Sequence, residues 1–110
     1  MTDCVFCKIV KKELQAEIVY EDDRVIAFKD IHPKAPFHIL IVPKKHIESV
    51  DSLEAQDREL TGDLFLVGKK IAKENNLQGY KLVINVGRNA GQLVDHLHIH
   101  LLSGKTTELP

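Results

Sequence analysis

"DHLHIHLL", Asp95 to Leu102, sets His96, His98 and His100 at every second position among apolar residues and holds half of the chain's six histidines. A strand alternates its faces, so this spacing predicts a strand that sends Leu97, Ile99 and Leu101 into the core and three imidazoles to the other side. Each strand residue advances about 3.3 Å, so neighbouring rings on that face start about 7 Å apart at their Cα atoms. Histidine is a middling strand former and buried ring nitrogens need partners, so packing gives little reason for the pattern. Three readings stand: a solvated or hydrogen-bonded face, a metal site made of imidazoles from the strand, and one nucleophilic imidazole with neighbours that orient it and stabilise charge.

The segments around this stretch predict the rest of the fold. "YKLVINV" (Tyr80 to Val86) reads as a strand, with Gly87, Asn89 and Gly91 in the loop that joins it to the histidine strand. Leu60, Leu64, Val67 and Ile71 recur at helical spacing and predict one long helix from about Ser52 to Asn75, capped by Asp51 or Ser52 and stopped ahead of Gly79. "AEIVYEDDRVIAFKDI" reads as two strands around the polar turn Glu21 to Arg24, "HPKAP" breaks regular structure, and "HILIVP" is a third strand that Pro43 ends. "CVFCKIVKKEL" predicts a short N-terminal helix with Val5 or Phe6, Ile9 and Leu14 as its apolar contacts. The sum is an α+β fold in a single domain over residues 1–110: a mostly antiparallel five-stranded sheet with one long helix and a short N-terminal helix.

Composition narrows the function classes. Hydrophobic residues make up 44% and charged residues 28% of 110 residues, and 15 basic against 16 acidic side chains leave a formal charge of -1. No basic block or basic aromatic face favours long nucleic acid, though a small nucleotide is compatible. The N-terminus lacks the apolar run of a signal peptide and no stretch nears the ~20 apolar residues of a membrane span, so the expectation is a cytoplasmic protein with no membrane partner. Cys4 and Cys7 would close too small a loop for a useful structural disulfide in a reducing compartment. Their CxxC spacing suits half of a tetrahedral metal site or a redox pair, although no strand precedes it as in a thioredoxin-type motif.

His96-Leu97-His98-Ile99-His100-Leu101-Leu102 resembles the His-φ-His-φ-His-φ-φ signature of the histidine triad family, and the likeness runs through nearly the whole chain. "FKDIHPKAPFHILIVPKKHI" and "INVGRNAGQLVDHLHIHLLSGK" are similar to the segments before the helix and around the triad in its nucleotide-binding, Hint-like branch. The resemblance implies cleavage of a purine nucleotide or nucleoside phosphoramidate at its α-phosphorus, through a nucleotidyl intermediate on His98. His100 and His38 match the histidines expected on phosphate oxygens. Asp30 matches a ribose-binding acid and Asn85 the family's asparagine. Gly91 and Gln92 match the phosphate loop, where backbone and side-chain donors are expected. Val5, Phe6, Ile9, Phe28 and Ile31 match the apolar positions around the base. His32 stands where relatives often carry a small polar residue, and a turn role suits it as well.

The same resemblance implies that His46 and His96 complete a Cys2His2 set with Cys4 and Cys7, holding a structural zinc, with no catalytic metal and with a homodimeric assembly. Leu93 departs from the pattern: relatives often have a serine there that assists leaving-group protonation, and leucine donates no hydrogen bond. Asp95 replaces a commonly aromatic residue, and "TTELP" lacks a C-terminal tryptophan that some relatives carry. Leu93 keeps in view a nucleotide-binding or interaction module with little turnover, and a zinc hydrolase that uses the histidine strand as ligands is another alternative.

Overall fold

In the computed structural model, which describes residues 4–104, five strands form one sheet: β1 (Ile18–Glu21), β2 (Val25–Lys29), β3 (Phe37–Pro43), β4 (Lys81–Val83) and β5 (Ile99–Ser103). Their order is β1-β2-β3-β5-β4 and every pairing is antiparallel. Central β3 pairs His38 with Leu102 and Leu40 with His100, so β3 and the histidine segment share a register. Helix α2 (Arg58–Glu74) covers one sheet face and the six-residue α1 (Val5–Val10) lies on the other.

Strand parity builds two cores. On the α2 side, Leu97, Ile99 and Leu101 join Val25, Ala27, Ile39 and Ile41 against Leu60, Leu64, Val67 and Ile71 of the helix. On the α1 side, Phe6 and Ile9 pack on Ile26, Phe28, Leu40 and Val42. The expected alternation of apolar residues and imidazoles is therefore present, with all three apolar side chains of the triad segment buried under α2.

Several boundaries differ from the expectations. β5 begins at Ile99, not His96: continuing the register would bring Leu97 opposite Pro43, which has no N–H for a ladder, and the Leu97 amide donates instead to Ile47 O at 2.7 Å. β4 ends at Val83, leaving Ile84 to Val86 outside the strand. α2 starts at Arg58, because the segment before it folds as two 3-10 turns, Val50–Ser52 and Ala55–Asp57. Ser49 caps the first of them, and buried Asp57 accepts the Glu54 amide and Lys45 Nζ ahead of the helix. Asn76, at φ 56, takes the left-handed conformation that stops α2 before Gly79 is reached. α1 ends at Val10 and Lys12 turns left-handed at φ 64, so Leu14 stays exposed, as does Val5.

Gly68 sets how closely α2 approaches the sheet. A Cβ there would lie 3.1 Å from Ile41 Cδ1 and 3.5 Å from Leu82 Cδ2. Gly68→Leu is expected to destabilise the protein by about 1–3 kcal/mol through overpacking, seen as a lower urea midpoint at unchanged slope. A midpoint at or above wild type would mean that the contact is not tight.

Candidate functional site

The face opposite α2 gathers the polar residues singled out in the sequence. His38 alternates with Leu40 and Val42 along β3, and His100 stands directly across from Leu40 in β5. Val83 of β4 pairs with His100, so Asn85, two residues further on, follows the parity of that face, while Leu82 and Ile84 pack toward α2. Asn85 Nδ2 lies 3.9 Å from the position of a Cβ on Gly91, which places the asparagine beside the glycine loop.

Backbone groups assign the proton on each buried ring. Nδ1 of His98 lies 2.7 Å from the His96 carbonyl, which can only accept, so the proton sits on Nδ1 and the Nε2 lone pair is free. Nε2 of His96 lies 2.8 Å from the Pro43 carbonyl, so its Nδ1 carries the free lone pair. His38 is the reverse: its Nδ1 accepts the Lys34 amide N–H at 2.9 Å, which puts the proton on Nε2. That Nε2–H faces His100 Nδ1 at 2.9 Å and Asp30 Oδ2 at 3.4 Å. With Nδ1 as acceptor, His100 is left with an Nε2–H donor.

Burial keeps these rings neutral. It is the main cause that pushes His96 and His100 down to about 4 from the ordinary 6.5, with neighbouring histidines adding to it and, respectively, the Pro43 carbonyl and Asp30 opposing it. Burial also lowers His98 and His38, against the His96 carbonyl in one case and the Asp30 carboxylate in the other.

A second cluster borders the first. Cys4, Cys7, His46 and His96 bring one ligand atom each to within 4.8 Å of the others. The pairs Cys4 Sγ to His96 Nδ1, Cys7 Sγ to His46 Nδ1, Cys7 Sγ to His96 Nδ1, and His46 Nδ1 to His96 Nδ1 measure 3.3, 3.2, 3.7 and 3.2 Å. Tetrahedral zinc with ordinary bond lengths has ligand-to-ligand edges of about 3.3–3.8 Å, so the four donors fit a metal of that kind. His96 also has the carbonyl partner that orients a ligating imidazole. Burial and the adjacent Cys4 raise the Cys7 thiol, so a metal, rather than the cluster itself, would favour its thiolate.

The remaining expected residues fall in varied places. Gly91, at φ +95, turns the loop after the 3-10 turn Arg88–Ala90, a conformation suited to glycine. Gln92 was expected to offer its side chain to phosphate, but it is only 3% exposed and that side chain is used within the protein. Its Oε1 accepts the Gly87 amide, and its Nε2 donates to Glu48 O and Val94 O. Gln92 therefore braces the loop, with both amide protons occupied. Half-buried Asp30 accepts the His32 amide at 2.8 Å on Oδ1, which puts His32 in a turn, and faces His38 with Oδ2. Phe6, Ile9 and Phe28 are buried in the α1-side core, whereas Ile31 is 83% exposed. Leu93 is 77% exposed.

Two contributors carry no signal in the sequence: Lys34, which acts through its backbone N–H, and Arg88. The Arg88 guanidinium donates to Leu93 O at 3.1 Å and to Asp95 Oδ2 at 3.0 Å, so Asp95 has a partner within the loop. Among the described residues no helix is long and apolar enough to cross a membrane.

The neutral buried rings make stability depend on pH. An unfolded histidine takes a proton as pH falls below about 6.5, whereas folded His96 and His100 resist until about 4, so metal-free protein is expected to lose stability across that window. Urea midpoints measured through it should fall with pH and fall less steeply in His100→Gln; equal slopes in the two proteins would contradict the assignment.

A family model described as scavenger mRNA decapping enzyme C-term binding matches residues 3–109. An uncharacterised HIT-like protein of Synechococcus elongatus is 47% identical over 109 residues, covering 98% of this chain and 96% of the relative. Protein HitA of Neisseria gonorrhoeae is 45% identical over 103 residues, 93% of this chain and 96% of its own length. Among solved structures, a HIT family hydrolase from Legionella pneumophila superposes with TM-score 0.94 at 44% identity, covering 98% of each chain. A histidine triad protein from Clostridium difficile gives 0.92 at 45% identity, over 100% of this chain and 96% of that one.

Proposed function

The chain belongs to the histidine triad (HIT) family, and from that premise we propose that it hydrolyses nucleoside 5'-monophosphate derivatives, purine nucleoside 5'-phosphoramidates among them, through a nucleotidyl-histidine on His98. The observation that carries this reading is the hydrogen bond from His98 Nδ1 to the His96 carbonyl, which leaves Nε2 as a fixed nucleophile. Nε2 attacks the α-phosphorus, the bond from the ring to phosphorus forms, and the bond to the leaving group breaks as an amine leaving group takes a proton from solvent water, because Leu93 has none to donate. A second water attacks phosphorus and gives up a proton to solvent, the bond from the ring to phosphorus breaks, His98 returns to its neutral form, and the nucleoside monophosphate leaves. The intermediate puts positive charge on a ring whose burial disfavours it, so it stays reactive toward water, while the His96 carbonyl holds its orientation.

The other residues take supporting roles in this reading. His38 donates from Nε2 to His100, and His100 in turn directs its own Nε2–H at phosphate oxygens where charge develops. Asn85 and the backbone around Gly91 and Gln92 line the phosphate side. Asp30 keeps acceptor capacity beyond its two internal contacts for sugar hydroxyls. Exposed Ile31 contributes apolar surface toward the base, with buried Phe28 and Ile9 as packing in the core behind it. Cys4, Cys7, His46 and His96 hold a structural zinc, which supplies a cross-link between α1 and the sheet rather than an activated water. The free thiols suit a reducing, cytoplasmic setting. A homodimer belongs to the same reading, and exposed Phe65 and Leu66 on α2 offer apolar surface for a second copy.

Asp30, His38 and His100 also place three ligand atoms together, the basis for a metallohydrolase. A metal there would need the Nε2 lone pair of His38, but Nε2 carries the proton because Nδ1 accepts from Lys34. That tautomer favours the nucleophile over the metal.

Incubation with adenosine 5'-phosphoramidate tests the reading. Wild type should turn the substrate over and form an acid-labile nucleotidyl adduct, His98→Ala should lose at least about 1,000-fold in kcat, and the adduct should still form after chelation. Activity retained in His98→Ala would overturn the nucleophile. Loss of adduct and turnover on chelation, restored by zinc, would favour the metallohydrolase, and binding without turnover a binding module.

A further inference from the structure

Phe6 stands between the two cysteines in sequence and beside the nucleophile in space. Its ring meets the His98 ring edge to face, with centroids 5.2 Å apart, and it also touches His96 at 5.9 Å and Phe28 at 5.4 Å. Only 5% of Phe6 is exposed, so in this arrangement it presents little face on which a base could stack. The His100 ring, 4.9 Å from that of His98, bounds the nucleophile elsewhere. The bond to His96 O fixes one atom of the His98 imidazole, and rotation about that bond is limited by the rings packed against it.

What holds Phe6 there is the cysteine-histidine cluster. α1 has six residues, too few for a helix to be stable by itself, so its seat depends on what anchors it. Phe6 and Ile9 anchor it to the core, and Cys4 and Cys7 anchor it to His46 and His96. His96 is itself doubly placed, with its ring in the cluster and its carbonyl on the His98 Nδ1–H. The ring that flanks the nucleophile and the carbonyl that orients it both depend on the same four-ligand cluster.

We propose that Phe6 is a positioning residue for His98 and that the Cys4, Cys7, His46 and His96 cluster holds it in place, so that metal occupancy of the cluster sets the rate of nucleotidyl transfer. This rests on His98 as nucleophile and goes beyond the expectation that Phe6 is a wall for the base. A base wall acts on substrate affinity, whereas a positioning residue acts on the chemical step.

The experiment compares metal-loaded wild type with Phe6→Leu on adenosine 5'-phosphoramidate, below the melting temperature of both, with Phe6→Met, longer and more adaptable in a core gap, as the second variant if leucine impairs folding. Phe6→Leu should lower the single-turnover rate of adduct formation about 10-fold with KM within about two-fold. Chelated wild type should fall at least as far, since the His96 carbonyl is loosened as well, and chelated Phe6→Leu should fall no further than chelated wild type, because the cluster acts through the ring that the variant lacks. Imidazole nitrogen NMR shifts should show a single His98 tautomer, protonated on Nδ1, in loaded wild type and a mixture in the variant and after chelation. A raised KM at unchanged rate would overturn the proposal in favour of the base wall. An unchanged rate and tautomer, whatever the melting temperature, would overturn it in favour of plain packing. If wild type fails to hydrolyse the substrate, the proposed function falls, and the tautomer spectra still decide whether Phe6 and the cluster position His98.

Discussion

The hydrogen bond from the His96 ring to the Pro43 carbonyl is the contact on which the site depends. His96 is completely buried, so its N–H must find an acceptor, and the strand end at Pro43 supplies one. That contact turns Nδ1 toward Cys4 and Cys7 and settles where the His96 backbone runs. The carbonyl of the same residue then meets His98 Nδ1. A structural requirement, satisfying one buried donor, thereby orients two chemically different imidazoles. The same logic recurs at His38, where an amide donor in place of a carbonyl gives the opposite tautomer.

The division of labour among the sheet's faces follows from that arrangement. The α2 side is apolar from Val25 to Leu101 and makes the sheet rigid, while the α1 side mixes apolar packing with ring nitrogens. The loop from Gly87 to Asp95 needs no partner to hold its shape, since Gln92 ties it to Glu48 and Val94 and Arg88 closes it on Leu93 and Asp95.

Much of this was legible in the sequence, because the signals were periodic. Alternation in "HLHIHLL" and the helical repeat of Leu60, Leu64, Val67 and Ile71 each specify a buried face, and the HIT fold and its five antiparallel strands followed. The grouping of Cys4, Cys7, His46 and His96 came from family resemblance and not from spacing, since 92 residues separate Cys4 from its nearest imidazole, that of His96. Strand and helix ends escaped the periodic pattern where a single hydrogen bond decided them, a distant one where Ile47 takes the Leu97 amide and a local one where Asp57 takes the Glu54 amide. The internal bonds of the Gln92 side chain were not legible, because a glutamine beside a glycine loop looks the same in sequence whether its amide faces a ligand or the backbone behind it. The tautomers of His38, His96 and His100 were out of reach, as they rest on carbonyls, amides and a neighbouring ring that carry no signature in the sequence.

Strand parity also limits how this part of the chain can vary in length. Leu97, Ile99 and Leu101 face α2 and the histidines face away, so the two sets are interleaved one residue at a time. A single-residue insertion or deletion between Asp95 and Leu102 would exchange them, placing imidazoles in an apolar core and aliphatic groups where phosphorus must be met. Fold and chemistry would fail together, leaving no partly working form. A substitution changes one side chain and leaves the parity of the others intact; a change of length does not.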